Sequence, residues 1–287
     1  MYASSELILN QDGSVFHLHL KPEQLSDKVI LVGDRARTDV IASYFDSIEC
    51  EVQNREFRTI TGMYRNKRIS VLSTGIGCGN LDIVMNELDA LVNIDLEKRV
   101  NKDVFKKLTL VRVGTSGGLQ ANVPEGTFVA SKRSIGFDGV INFYADSTKI
   151  CDMQFEKAFV DYTNFSKRHA APYCVKNSEN LLTRIASTDM VLGNTIASSG
   201  FYGPQGRTLR LNLDDANLNK KIMQFEFNGE KITNYEMEGS VLAGMSALMG
   251  HEALTVCLII ANRYGKSFIG DYSQKMKELI SLVLDRI

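Results

Sequence analysis

Leu108-Thr109-Leu110-Val111-Arg112-Val113, followed at once by Gly114-Thr115-Ser116-Gly117-Gly118, decides the fold class. A short apolar run bounded by glycines reads as a strand buried on both faces, as in a sheet covered by helices. Arg112 is the anomaly within it. An arginine is almost never fully buried without an anionic partner. Arg112 therefore marks either an internal ion pair or an anion site at the carboxyl end of a strand.

The same pattern extends in both directions. Lys28–Val32 is a second apolar run, ending in Gly33-Asp34, with a helix expected over Arg37–Phe45. Glu49–Arg65 and Lys67–Ser73 are rich in β-formers, and the Asn66-Lys67 break predicts a hairpin. Ile69–Thr74 leads through a glycine-rich turn into a helix over Asn80–Asn93. There Leu81, Val84, Met85, Leu88, Leu91 and Val92 share one face. Gly126–Ser134 and Leu192–Ser198 read as strands, and Ala253–Ile260 as a central strand. Glu236–Met249 reads as a helix with Met237, Val241, Leu242, Met245 and Leu248 on one face and Gly250 at its end. Lys275–Ile287 is an amphipathic closing helix, and residues 141–190, the least regular part, read as an insertion or a lid. Strands alternating with helices predict an α/β fold, a single domain over residues 1–287 with a central mixed β-sheet flanked by helices. No proline- or serine-rich linker divides the chain.

Composition narrows the function. The 33 basic residues against 34 acidic ones give a net charge of −1, which argues against nucleic acid as a bulk electrostatic partner. Met1–Glu6 has neither the basic nor the apolar region of a signal peptide. The longest apolar stretch, Ser240–Ala261, is broken by Gly250, His251 and Glu252, so no membrane span is expected. Five scattered cysteines without a CxxC pair read as reduced thiols, and a cytoplasmic location follows. His17-Leu18-His19 would share a face in a strand; this spacing alone assigns no metal.

Three glycine-rich turns follow predicted strands, where α/β sheets bind ligands. Gly33-Asp34-Arg35-Ala36-Arg37 offers backbone and guanidinium donors to an anion. Gly75-Ile76-Gly77-Cys78-Gly79-Asn80 is close to a dinucleotide fingerprint but ends in asparagine. Asp95 and Glu97 also lie before the next strand rather than after it, so NAD is not expected, and Asn80 reads as a helix N-cap. The third turn is the one after Arg112. Two further features add detail. In Gln205-Gly206-Arg207, an extended backbone would point an amide and a guanidinium the same way, suiting the edge of a pyrimidine. Glu236-Met237-Glu238 places carboxylates where they could accept from a vicinal diol, or simply favour a helix N-terminus.

Together these residues resemble the nucleoside phosphorylase-I family, and within it the uridine phosphorylases, over nearly the whole chain. The matching pieces are Val15-Phe16-His17-Leu18, Val32-Gly33-Asp34 with Arg37, Arg55-Glu56-Phe57, Ser73-Thr74-Gly75-Ile76-Gly77 and Arg112-Val113-Gly114-Thr115. They continue through Phe201-Tyr202, Gln205-Gly206-Arg207, Asn234-Tyr235-Glu236-Met237-Glu238 and Asn262-Arg263. The resemblance implies phosphorolysis of uridine to uracil and ribose 1-phosphate in pyrimidine salvage. Phosphate would be held by Gly33, Arg37, Arg112 and Thr115, with Arg55 reaching in from a neighbouring subunit. Glu238, with Glu236 and Met237, would hold the ribose, and the neighbour's His17 its 5′-hydroxyl. Gln205 and Arg207 would read the base, Phe201 and Ile260 would wall it, and Arg263 would support it. Arg207, Gln205 and Glu238 are the expected catalytic residues. A homodimer or a trimer of dimers with shared sites is implied. No cofactor or metal is implied, phosphate being a co-substrate.

The chain departs from the family pattern at three points. Arg35 and Ala36 fill a position where proline is common, and Gly203-Pro204 reverses a common Pro-Gly order. Asn80 stands where some relatives use a serine, with Glu56 and Ile76, to hold a monovalent cation, so that cation stays open. Two alternatives remain. A purine nucleoside phosphorylase would need a late aspartate to protonate the base, and none occurs between Ile260 and Asp271. A non-catalytic nucleoside-binding relative should have lost one of Arg37, Arg112, Arg207 or Glu238, and all are present.

Overall fold

The computed structural model describes residues 1–287. Its helices are α1 (Ala36–Ala42), α2 (Cys78–Asn93), α3 (Ser147–Ile150), α4 (Met153–Thr163), α5 (Glu179–Ile185), α6 (Leu218–Gln224), α7 (Gly239–Met249) and α8 (Ser273–Arg286). The strands are β1 (Lys28–Val32), β2 (Ser47–Asn54), β3 (Phe57–Tyr64), β4 (Lys67–Ser73), β5 (Ile94–Asp95), β6 (Val100–Asn101) and β7 (Thr109–Gly118). They continue with β8 (Phe128–Gly136), β9 (Tyr173–Lys176), β10 (Val191–Ala197), β11 (Glu226–Phe227), β12 (Glu230–Glu236), β13 (Glu252–Asn262) and β14 (Ser267–Phe268).

Side chains alternate across a strand, so a strand between two helical layers must be apolar at both parities. β1 meets that demand: Val29 and Leu31 join the cluster that contains Leu81, Val84 and Leu88 of α2. Ile30 and Val32 join the opposite cluster, with Leu279, Ile280 and Val283 of α8. All six residues assigned to the apolar face of α2 are buried. Gly250 ends α7 in the left-handed region at φ +82. The five cysteines are free thiols. No helix is long and apolar enough to cross a membrane.

The mixed sheet has the order β11-β12-β10-β8-β13-β7-β1-β4-β3-β2, and an additional pairing joins β12 back to β7. The strands β12, β10, β8, β13 and β7 therefore close on themselves. Asn234 and Tyr235 pair antiparallel with Gly118 and Gly117 at the far end of β7. A buried polar chain secures the seam: Asn234 Nδ2 donates to Ser116 Oγ at 2.6 Å, and Ser116 Oγ donates to Tyr235 O at 2.8 Å. Thr195 Oγ1 donates to Asn234 Oδ1 at 2.9 Å. Hydrogen-bonded in this way, polar side chains sit inside the ring without the penalty of unmet donors.

Several expectations are corrected here. The run from Glu49 to Arg65 is two strands, broken at Arg55-Glu56, with Arg55 at φ +53. Gly114–Gly118 is not a turn but the second half of β7. Gly114 serves the fold of Arg112 over its own strand, since a Cβ there would stand 2.2 Å from the Arg112 Nη1. The helix expected from Glu236 begins at Gly239, because Glu236 closes β12. Asn80 is not the N-cap of α2; Gly77 is, and Asn80 lies in the first turn. His17 and His19 are not in a strand. The stretch 141–190 holds three short helices and β9, the last paired with β8.

Candidate active site

A cavity of about 800 Å³ opens where β1, β7, β12 and β13 end, lined by residues from well-separated parts of the chain, from Gly33 to Tyr272. Gly33, Arg37, Arg112, Thr115, Glu236, Met237, Glu238, Phe201, Gln205, Arg207 and Ile260 all line it. Most of the residues expected to act together are therefore brought together.

At one end sits Arg37, only 8% exposed on the first turns of α1. Its guanidinium donates to Val113 O at 3.3 Å and forms no ion pair. Burial pulls its pKa down; Asp34 opposes this and the charge of Arg112 adds to it. A buried cation without a carboxylate is costly unless an anion completes it. Gly33, Thr115 and Arg35 line the same end.

Arg112, 4% exposed, points into the middle. It donates to Glu238, and its Nη1 lies 3.2 Å from Glu236 Oε2 and 3.6 Å from Cys257 Sγ. Its buried Nε has no partner. Burial works against its charge, but the Glu238 and Glu236 carboxylates outweigh that and raise its pKa. The ion pair expected of a buried arginine is present, and its partners are the very carboxylates expected at the ribose.

Those carboxylates are held by the turn between β12 and α7. Glu236 accepts backbone N–H bonds from Glu238 and Gly239, each at 2.9 Å, and so supplies the helix with the cap that its sequence lacks. Burial pushes the Glu236 carboxyl up, to about 7, against the pull of Arg112. Glu238 Oε1 accepts from Gly77 N at 2.6 Å. The second glycine turn thus aims its amide at a carboxylate of the same chain. Asn80 Nδ2 donates to Thr74 O at 2.9 Å and to Glu56 Oε1 at 3.3 Å.

The opposite end is rich in donors. Gln205, 3% exposed, receives Arg207 Nη1 on its Oε1 at 2.7 Å and Arg263 Nη2 at 3.3 Å. Arg207 also donates to Phe201 O and lies over the Phe201 ring, 3.6 Å from its centroid. Burial, then the neighbouring Arg263, pull the Arg207 pKa down to about 10, so it stays charged at neutral pH. Arg263 stands behind this end, donating to Gln205 O. No carboxylate stands beside Gln205 and Arg207: the acidic residues of the cavity are Asp34, Glu56, Glu236 and Glu238.

Besides Arg263, which stands behind the cavity without lining it, two expected residues lie elsewhere. His17 lines a shallow groove beside α2, its Nδ1 2.6 Å from Glu87 Oε1. Arg55 sits at the β2–β3 turn, 5.8 Å from the Phe16 ring centroid. Phe268 and Tyr272, which no sequence signal singled out, also line the cavity. They follow β13 in a stretch with no periodicity to place them.

The model of the phosphorylase superfamily matches residues 27–287. A uridine phosphorylase of Thermococcus kodakarensis is 27% identical over 280 residues, covering 98% of this chain and 88% of that protein. A DeoD-type purine nucleoside phosphorylase of Streptococcus suis is 25% identical over 244 residues, covering 85% of this chain and 84% of that one. Among solved structures, a Trypanosoma brucei nucleoside phosphorylase that shows uridine phosphorylase activity superposes with a TM-score of 0.88 at 30% identity. That match covers 98% of this chain and 99% of the other.

Proposed function

The chain belongs to the phosphorylase superfamily, and from that premise we propose that it is a uridine phosphorylase, converting uridine and phosphate to uracil and ribose 1-phosphate. The observation that carries the choice of base is the donor-rich, carboxylate-free end built by Gln205, Arg207 and Arg263. A purine leaving group protonated by the enzyme needs an acid there. A uracil leaving as its anion needs cations instead.

In this reading the glycosidic bond breaks with both electrons going to uracil, and ribose C1 gains oxocarbenium character. A phosphate oxygen then forms the new bond to C1. Arg207 meets charge that develops only as the bond breaks, which is the kind of interaction that lowers a barrier. Phosphate is already an anion and needs positioning rather than a base; Arg37, free of any carboxylate, and Arg112 supply it. Phosphate draws Arg112 from Glu238, and the released carboxylate oxygen accepts from the ribose hydroxyls. Met237 packs on the sugar, and Ile260 and Phe201 wall the base. A second copy of the chain supplies His17 and Arg55, both of which lie outside this chain's own cavity. Phosphate is a co-substrate, and the Asn80 amide serves Glu56 as a donor where some relatives hold a monovalent cation.

The test is release of free base from uridine and from inosine, each with and without phosphate. Uracil formed only with phosphate is the expected result. Hypoxanthine formed instead would establish the purine reading, and base formed without phosphate would make the protein a hydrolase.

A further inference from the structure

We propose that Asn219 is a positioning residue for base recognition: it latches the loop that carries Gln205 to the wall of the strand ring. The proposal rests on the base-reading role given to Gln205 above. Asn219 lies on α6, outside the main cavity. Its amide works in both directions. Nδ2 donates to Gln205 O at 2.8 Å, and Oδ1 accepts from the Tyr235 hydroxyl at 2.9 Å. Tyr235 is buried on β12, one residue before Glu236. One side chain therefore spans from the base loop to the strand that ends at the ribose carboxylates.

Two observations make this bond matter more than an ordinary surface contact. First, the loop is a thin partition. Gln205 faces the main cavity, while Pro204, Gly206 and Asn219 line a second cavity of about 470 Å³ on the other side. A segment with open space on both sides is held by its few hydrogen bonds rather than by dense packing. Second, the sequence is fitted to the latch. Gly206 stands at φ +69, and a Cβ on it would lie 2.2 Å from Asn219 Nδ2, so only glycine admits the amide. Arg263 gives Gln205 O its other donor and lies 5.4 Å over the Tyr235 ring. The carbonyl of the base-reading residue is thus fixed from two sides.

The test compares Asn219→Ala and Asn219→Asp with the wild type by hydrogen exchange and by steady-state kinetics. Aspartate keeps an acceptor for the Tyr235 hydroxyl but offers no donor and sets a carboxylate against Gln205 O. The amides of Gln205, Gly206 and Arg207, bonded to Tyr202 O, Gly203 O and Tyr202 O, report on the loop. Their exchange should quicken about tenfold in both variants, with the rest of the ring unchanged. The kcat/KM for uridine should fall about 10- to 100-fold while the KM for phosphate stays within about twofold. Unchanged exchange at these amides in folded protein overturns the latch. So does exchange that rises throughout the chain, or an equal loss on phosphate, since either marks a general structural role. Should the wild type release no uracil from uridine, the proposed function falls, and the exchange data still decide the latch on their own.

Discussion

Replacing Glu238 by glutamine should weaken use of the nucleoside and, in the same protein, tighten binding of phosphate. The opposite signs come from the pair that Glu238 forms with Arg112. Glutamine keeps the size and can keep a carbonyl oxygen on Gly77 N, 2.6 Å away in the wild type. It then turns an amide nitrogen, a donor, toward a guanidinium that can only donate. A hydrogen bond to a charged group contributes about 1.5–3 kcal/mol. Arg112 still has Glu236 at 3.2 Å, so it stays partly compensated. If a third of the lost interaction passes to the incoming anion, about 0.5–1 kcal/mol, phosphate binds about two- to fivefold more tightly. The ribose meanwhile loses its anionic acceptor, and kcat/KM for uridine should fall by about 10²–10³. Calorimetric titration of each protein with phosphate alone gives the first quantity, and uracil release at varied uridine gives the second. Weaker phosphate binding in Glu238→Gln would refute the competition between carboxylate and anion for Arg112. A uridine kcat/KM unchanged within error would refute the ribose role.

The remaining expectations concern the base, the buried acid and the shared site. Arg207→Ala should lower kcat by about 10²–10³ with the phosphate Kd unchanged, because the charge it meets develops only in the transition state; an equal weakening of phosphate would dissolve the division of labour in the cavity. Glu236 has a folded pKa raised from 4.5 to about 7, so the folded state holds its proton more firmly than the unfolded chain does. Its contribution to stability is therefore full below pH 4.5 and lost as pH rises toward 7. The melting temperature of the wild type should accordingly fall relative to Glu236→Gln over that window, and a rise would mean that Arg112 keeps Glu236 ionised throughout. Arg55→Ala and Arg207→Ala should each be impaired alone. A verified hybrid dimer of the two has one intact shared site, hence about half the wild-type activity, and no recovery would leave the site within one chain.

Where a segment's burial follows from its own period, the sequence revealed it. β1 is apolar at both parities because helices cover both its faces, and α2 carries an apolar stripe because one side meets that layer. The failures have equally local causes. β12 reads Glu-Lys-Ile-Thr-Asn-Tyr-Glu, which no hydrophobic pattern marks as a strand. It is buried all the same, because Asn234 and Ser116 satisfy each other across the seam. Gly114 to Gly118 resembled a turn since glycine usually marks one. Here Gly114 leaves room for Arg112, and Gly118 for Val123 O and the Asn262 amide. The β2–β3 turn went unseen because Arg55 and Glu56 are not turn residues by type.

The site divides the same way. Arg37, Arg112, Gln205 and Arg207 were legible because charged or amide groups beside apolar strand ends and glycines need a reason to be there. Their pairing was not legible. Arg112 and Glu238 are 126 residues apart, and Gly77 and Glu238 are 161 apart. Only the return of β12 to β7 brings these groups together, since Glu236 ends the strand whose Asn234 and Tyr235 pair with Gly118 and Gly117. The closure that composition hid is thus what sets two carboxylates on one arginine. In the proposed function, an arginine so held is paired with carboxylates before phosphate arrives and would take phosphate by giving up Glu238. On that proposal the same seam that stabilises the fold would link the two substrates, because the group that phosphate displaces would be the group the ribose needs.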